Sequence, residues 1–191
     1  MNVHAKQIRD QAAVLIAIAK EKDGQESVLL TERAKHLSIH SGEVAFPGGK
    51  REIDDGSLLD TALRESHEEV GLEPSRVDII DELPVSYTRH GISVTPYVGR
   101  VDSNKGLVAN DGELQSMFWV PVEFLLRDTR ERTDIFTLDG REYWAPVYDW
   151  MGYTIWGFTA RVLVDFLNRV YGQNIERASE APEVLYQRPV K

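Results

Sequence analysis

Short apolar runs alternate with turn-forming clusters along most of this chain, and the pattern changes period in two places. The early run from Ala12 to Ala19 carries no polar side chain and is bounded by the polar Gln11 and Lys20, so it reads as a strand. Further strands are predicted near Val28 to Thr31, Val77 to Tyr87, Ile92 to Val101 and Gln115 to Val120. The dipeptide Asp139-Gly140 predicts a hairpin between Asp134 to Leu138 and Arg141 to Tyr148. Leu58 to Val70 lacks Pro and Gly and repeats Leu59, Ala62, Leu63, Ser66 and Val70 at helical spacing. Ser57 is placed to cap its start, and Gly71 to end it in a left-handed turn with Leu72 folding back. A second helix is predicted over Trp156 to Tyr171, where Ala160, Leu163, Val164, Leu167 and Val170 recur. Pro121 to Leu126 suits a short helical turn, and Gln173 to Lys191 reads as an extended or frayed arm.

Strands and helices in mixed order, without repeats or linkers, predict a layered α/β or α+β fold. A length of 191 residues fits one domain over the whole chain, with a core at about 12 to 171. The 22 basic and 31 acidic residues give a net charge of −9, which argues against nonspecific binding to nucleic acid or to anionic membrane surfaces. The absence of Cys excludes disulfides, thiolate catalysis and Cys-ligated zinc, and is compatible with the cytoplasm. The early apolar run is too short to span a membrane and its flanks do not resemble a signal peptide, so a soluble protein is expected.

The chemistry concentrates on the first helix. At roughly 100° per residue, Glu65, Glu68 and Glu69 share an arc of roughly 100° that is expected beside the apolar stripe and not within it. Carboxylates at i and i+4 repel by a few tenths of a kcal/mol, about the size of an exposed ion pair, and anions near a helix C-terminus oppose the macrodipole. Hard oxygen donors grouped in this way suit Mg²⁺ or Mn²⁺ shared with substrate phosphate; the bland alternative is a solvated acidic face. Arg64 can hold one carboxylate by two parallel hydrogen bonds. Upstream, Ser41-Gly42-Glu43-Val44-Ala45-Phe46-Pro47-Gly48-Gly49 reads as a loop that braces this face and lends it backbone groups. A Walker-type Gly-x-x-x-x-Gly-Lys-Ser/Thr loop is absent. Arg33, Lys35, Arg89 and His90 follow strand-like runs and are candidates to meet an anionic substrate, with Tyr87, Phe118 and Trp119 as candidates to stack a base.

These residues resemble the signature of the Nudix hydrolases: Gly, five residues, Glu, seven residues, Arg-Glu, apolar or small, any, Glu-Glu, any, Gly, apolar. Gly49 and the whole of Arg64-Glu65-Ser66-His67-Glu68-Glu69-Val70-Gly71-Leu72 match. Asp55 stands where the first Glu is expected, and eight residues then separate it from Arg64, so Asp55 and Glu52 are both candidates for the loop acid. Leu29-Leu30-Thr31-Glu32-Arg33-Ala34, Gly42 and Phe46-Pro47-Gly48-Gly49 resemble the further signature of the coenzyme A pyrophosphatase branch, as does Trp156-Gly157-Phe158-Thr159-Ala160-Arg161. Ser38 replaces an Arg of that pattern.

The resemblance implies an α/β/α sandwich with a mixed sheet between helices, the acidic helix bordering the cleft. It implies catalytic roles for Arg64, Glu65, Glu68 and Glu69; the substrate contacts expected from the residues' own positions are those of Arg33, Gly48, Gly49 and Arg89. The metal set would be Glu65, Glu68, Glu69 and, as a distant loop acid, Glu113. The implied reaction is hydrolysis of a diphosphate linkage in coenzyme A, giving 4′-phosphopantetheine and adenosine 3′,5′-bisphosphate. The alternative is a Nudix pyrophosphatase for ADP-ribose, dinucleotides or nucleoside triphosphates. A homodimer is an allowed assembly that nothing in the sequence specifies. A non-catalytic sensor that kept the fold would be marked by loss of the box acids, and all three are present.

Overall fold

In the computed structural model, which describes residues 10–36, 42–138 and 141–186, strand β1 (Gln11–Lys20) runs through the middle of a mixed sheet. It is buried on both faces, which is why its sequence is continuously apolar and does not alternate. Ala13, Leu15, Ala17 and Ala19 point to one side and meet Ala62, Val70 and Leu72. These partners belong to helix α1 (Leu58–Val70) and its C-terminal turn. Small alanines in three of those four strand positions let the helix approach closely.

One edge of β1 pairs in parallel with β7 (Ser93–Val101), from Gln11↔Ser93 to Ala19↔Val101. The other edge changes partner along its length. Ala12 to Val14 pair antiparallel with β4 (Gly48–Lys50), and Ile18 to Lys20 with β2 (Glu26–Arg33). Between the two, the Leu15 N–H donates to the Pro47 carbonyl at 2.9 Å. Strand β2 also pairs with β3 (Val44–Ala45) and, along its length, with β8 (Leu114–Pro121). The run predicted from Val77 to Tyr87 is two strands, β5 (Val77–Glu82) and β6 (Ser86–Tyr87), both antiparallel to β7. Pro84 lies in the break and has no N–H to give to a ladder.

The caps of α1 follow the sequence. Ser57 Oγ accepts from the Asp60 N–H at 3.1 Å, and Gly71 adopts φ 67 with its N–H bonded to the His67 carbonyl. The Leu72 N–H reaches back to the Ser66 carbonyl and its side chain is buried, as a Schellman ending requires.

Contacts divide the chain into two compact units, Met1–Glu123 and Phe124–Lys191, with the division inside α2 (Val122–Leu126). The second unit contains β9 (Arg132–Leu138), β10 (Arg141–Trp150), β11 (Tyr153–Ile155), α3 (Gly157–Val170) and β12 (Glu183–Tyr186). Strands β9 and β10 form the antiparallel pair expected around Asp139-Gly140, a dipeptide outside the described residues. Helix α3 packs on β10 and buries Ala160, Leu163, Val164 and Leu167, the stripe read from the sequence. The arm after Gly172 is more ordered than its polar composition predicts up to Tyr186; Ser38, Ser41 and 187–191 lie outside the described residues. Strand β12 pairs in parallel with β9, and Arg177 bonds both Glu142 and Glu183 at 2.8 Å. The Asn168 amide clasps Ile175 from both sides, accepting its N–H at 2.8 Å and donating to its carbonyl at 3.1 Å. The fold is thus α+β with mixed sheets.

Candidate metal and diphosphate site

Two glycines bring backbone against the acidic helix. Gly48 sits at φ 151, where a Cβ would lie 2.6 Å from the Val14 Cα of the neighbouring strand. At Gly49 a Cβ would lie 2.7 Å from Glu65 Oε2. At Gly48 the obstacle is fixed backbone, and at Gly49 it is the Glu65 carboxylate, which a side chain there would displace. The Gly48 N–H then donates to Glu69 Oε2 at 3.1 Å, and Arg33 Nη1 stands 3.7 Å from Glu69 Oε1. Glu69 is 3% exposed, so it lies in the buried face of α1 and not beside it as expected. Helical angle alone placed it on the margin; the crossing of β4 over the helix end covers it. Gly48→Ala is expected to lower stability by about 2 kcal/mol or more, from left-handed strain plus contact with fixed backbone. A urea midpoint equal to that of the unmodified chain would contradict this packing.

Arg64 is the hub of a second set of contacts. Its Nε donates to Asp55 Oδ1 at 2.9 Å and its Nη2 to Asp55 Oδ2 at 3.0 Å, a two-pronged fork. Nη1 reaches Glu65 Oε1 at 3.1 Å and Glu68 Oε2 at 3.0 Å. Asp55 is buried and also accepts from Thr61 Oγ1 and the Glu52 N–H, both at 2.8 Å. The Arg64 guanidinium first, and these other donors, hold the Asp55 carboxyl down at about 2. Of the two loop acids left open by the sequence, Asp55 is therefore the one that grips Arg64; Glu52 is exposed and contributes its backbone.

The C-terminal end of α1 recruits Glu113. The Asn110 N–H takes the Glu69 carbonyl at 2.8 Å and the Val108 N–H takes that of Val70 at 3.0 Å, satisfying helix-end acceptors with a distant loop. Asn110 then organises the turn, its Oδ1 accepting from the Gly112 N–H at 3.1 Å and its carbonyl from the Glu113 N–H at 2.9 Å. Burial pushes Glu69 up to about 7, and Glu65 and Glu113 add repulsion. Burial also pushes Glu65 up, against the pull of Arg64, with Glu68 and Glu113 repelling it. Glu65, Glu68, Glu69 and Glu113 thus feel one another, while Arg64 is shared with Asp55 and Arg33 lies beyond hydrogen-bonding distance of Glu69.

Among the described residues, no group of three His, Asp or Glu side chains is drawn together closely enough to hold one ion as it stands. The donor set nevertheless fits a hard divalent cation: it is all oxygen, and burial, with repulsion from neighbouring carboxylates, raises the proton affinity of Glu65 and Glu69. Arg89 is not gathered here; it is exposed between β6 and β7, with its Nε bonded to His90. His67 pairs with Glu73 at 3.1 Å on the outer side. Tyr87 is 71% exposed, while Trp119 is partly buried against the core cluster. Sequence reasoning did not single out Asn110, Thr61 or Arg51; all three act through bonds to backbone or to another side chain, which no local spacing signals.

A model of the NUDIX domain matches residues 9–138 of this sequence. The chain belongs to the Nudix family. It is similar to Nudix hydrolase 15, mitochondrial, of Arabidopsis thaliana, at 37% identity over 182 residues, covering 92% of this chain and 64% of the relative. It is also 37% identical over 155 residues to an uncharacterised Nudix hydrolase NudL of Enterobacter sp., covering 81% of this chain and 80% of that one. The chain therefore spans less than two thirds of the plant relative's length. Among solved structures, a Nudix hydrolase from M. smegmatis, RenU, shares the fold with a TM-score of 0.52 at 24% identity, over 62% of this chain and 74% of that one. Nudix hydrolases use divalent ions such as Mg²⁺ or Mn²⁺. Among the described residues no helix is long and apolar enough to cross a membrane.

Proposed function

We propose that this Nudix chain hydrolyses the diphosphate linkage of a nucleoside diphosphate derivative, with coenzyme A as the first candidate. The observation that carries the reading is the mutually repelling pair of the partly buried Glu65 and the buried Glu69, with Glu113 brought to it by a distant loop. Glu65, Glu68, Glu69 and Glu113 would hold Mg²⁺ or Mn²⁺. The bound cation would supply charge neutralisation of the diphosphate and a more acidic water. Arg64 orients Glu65 and Glu68 from a fixed position, because its own fork is anchored on Asp55. Arg33, whose buried Nε has no hydrogen-bond partner and whose Nη1 stands off Glu69, is the cation available to a substrate phosphate. The raised proton affinity of Glu65 and Glu69 suits a carboxylate that accepts the proton of attacking water.

Support for coenzyme A comes from the Leu29 to Gly49 pattern and from Trp156 to Arg161. Ser38 in place of Arg favours the second reading, ADP-ribose, a dinucleotide or a nucleoside triphosphate. A panel of these compounds with Mn²⁺, scored by kcat/KM, separates the two: coenzyme A is expected to lead, and any other leader replaces it. Chelation is expected to abolish turnover reversibly, with Mg²⁺ or Mn²⁺ restoring it; turnover that survives exhaustive chelation points to a different chemistry. We read both units as parts of one Nudix domain because the family match runs through their division. The cytoplasm is our proposed compartment.

A further inference from the structure

The loop between Gly49 and α1 is the one place where the chain departs from the Nudix spacing. Eight residues follow Asp55 before Arg64, and Asp is one methylene shorter than the Glu of the pattern. The Asp55–Arg64 fork is nevertheless made with both prongs at about hydrogen-bond length, 2.9 and 3.0 Å. Something must hold the longer segment so that a shorter acid still reaches. Thr61 Oγ1 and the Glu52 N–H hold the carboxylate itself, and Arg51, a residue outside the signature, holds the backbone behind it. Its Nη2 donates to the Asp55 carbonyl at 3.1 Å and to the Gly56 carbonyl at 3.4 Å, the two peptide groups between the acid and the Ser57 cap. Its Nη1 reaches Gln11 Oε1 at 3.3 Å, and its backbone N–H donates to the Gln11 carbonyl at 3.0 Å. Arg51 is therefore anchored on β1 and clamps the loop from there.

We propose that Arg51 is a positioning residue for the acidic helix, acting through a relay from Gln11 on β1 to Arg51, the Asp55 and Gly56 carbonyls, the Asp55 carboxylate, Arg64, and so Glu65 and Glu68. The proposal rests on the reading of the acid set as a hydrolytic site, and it assigns the extra loop residue a device that compensates for it. A guanidinium is needed because two adjacent carbonyls and an amide oxygen must be met by donors spread over one plane; a Lys ammonium is a point donor on a flexible stem. The buried Nε of Arg51 has no partner, which fits a side chain held by its two outer nitrogens.

The test uses the full-length protein with Arg51→Gln, Arg51→Lys and Asp55→Asn, and two readouts. The first is kinetic, on the best substrate of the panel with Mn²⁺. Arg51→Gln is expected to lower kcat about 10-fold with KM within about 2-fold, Arg51→Lys is expected not to rescue it, and Arg51→Gln is expected to add little in an Asp55→Asn background. The second is the NMR exchange rate of the Arg64 Nε proton, which is bonded to Asp55 Oδ1 in the unmodified protein. That rate is expected to rise about 10-fold in Arg51→Gln, with the protein still folded by its amide spectrum. An unchanged Arg64 exchange rate in folded Arg51→Gln, or an unchanged kcat, overturns the relay. Absence of turnover by the unmodified protein would count against the hydrolase reading instead, and the exchange measurement would still decide the role of Arg51.

Discussion

Glu69→Gln is expected to lower kcat by roughly 10²-fold or more, about 2.7 kcal/mol at the transition state, without loss of fold. The substitution keeps size and shape, and an amide oxygen can still accept the Gly48 N–H that Glu69 Oε2 takes at 3.1 Å. What it removes is the negative charge and the capacity to take up a proton. Burial already holds Glu69 near pH 7, so Gln resembles a form that the metal-free chain populates. Glu68→Gln is expected to cost a similar factor through lost charge, although Glu68 is half-exposed and bonded to Arg64 at 3.0 Å. The measurement is kcat and kcat/KM with Mn²⁺, beside a urea titration of each variant. Full turnover by both would remove these two acids from the site, and loss of activity with parallel loss of stability would reassign them to folding.

The metal-free chain is expected to become less stable as pH rises from about 5 to about 7. Glu69 binds its proton more tightly when folded, at about 7 against an ordinary 4.5, because burial disfavours the carboxylate. Within that window the folded state holds more protons than the unfolded state, so the slope of unfolding free energy with pH is negative. At about 1.4 kcal/mol per pH unit the loss from Glu69 is roughly 3 kcal/mol at most, and Glu65 acts in the same direction. Asp55 has the opposite sign. Its carboxyl is held at about 2 against 3.8, so its contribution is complete above the unfolded value and fades as pH falls toward 2. Stability without metal should therefore peak between roughly pH 4 and 5. Urea titrations at pH 5 and pH 7.5 after chelation check this. Glu69→Gln should flatten most of the difference, and added Mn²⁺ should raise stability at the higher pH by mass action on the folded state. A metal-free protein more stable at pH 7.5 than at pH 5 would mean that the Glu69 carboxylate is not desolvated.

Local rules carried much of the fold. The caps of α1 were legible because Ser57 and Gly71 act within one turn of the helix they end. The stripe of α3 was legible because a single period describes it. Pro84 breaks the ladder predicted across Val77 to Tyr87, because it has no N–H to donate there. Strand β12 was not legible, since its order depends on β9 and on the Arg177 bridges, both distant in sequence. In the site, the grouping of Glu65, Glu68 and Glu69 on one helix came from spacing. Which of them is buried did not, because β4 decides it.

From the sequence alone came the family signature, the acidic helix with its ends, and the oxygen-rich donor set, all of which follow from residue type at fixed separation. The tertiary structure decided the rest: that Glu69 lies under the β4 backbone, that Asp55 is the loop acid bonded to Arg64, and that Glu113 arrives through Asn110. These depend on which chain segment crosses which, and a carboxylate's charge state follows from that crossing, since burial and neighbouring dipoles set its proton affinity far more than its place in the sequence does.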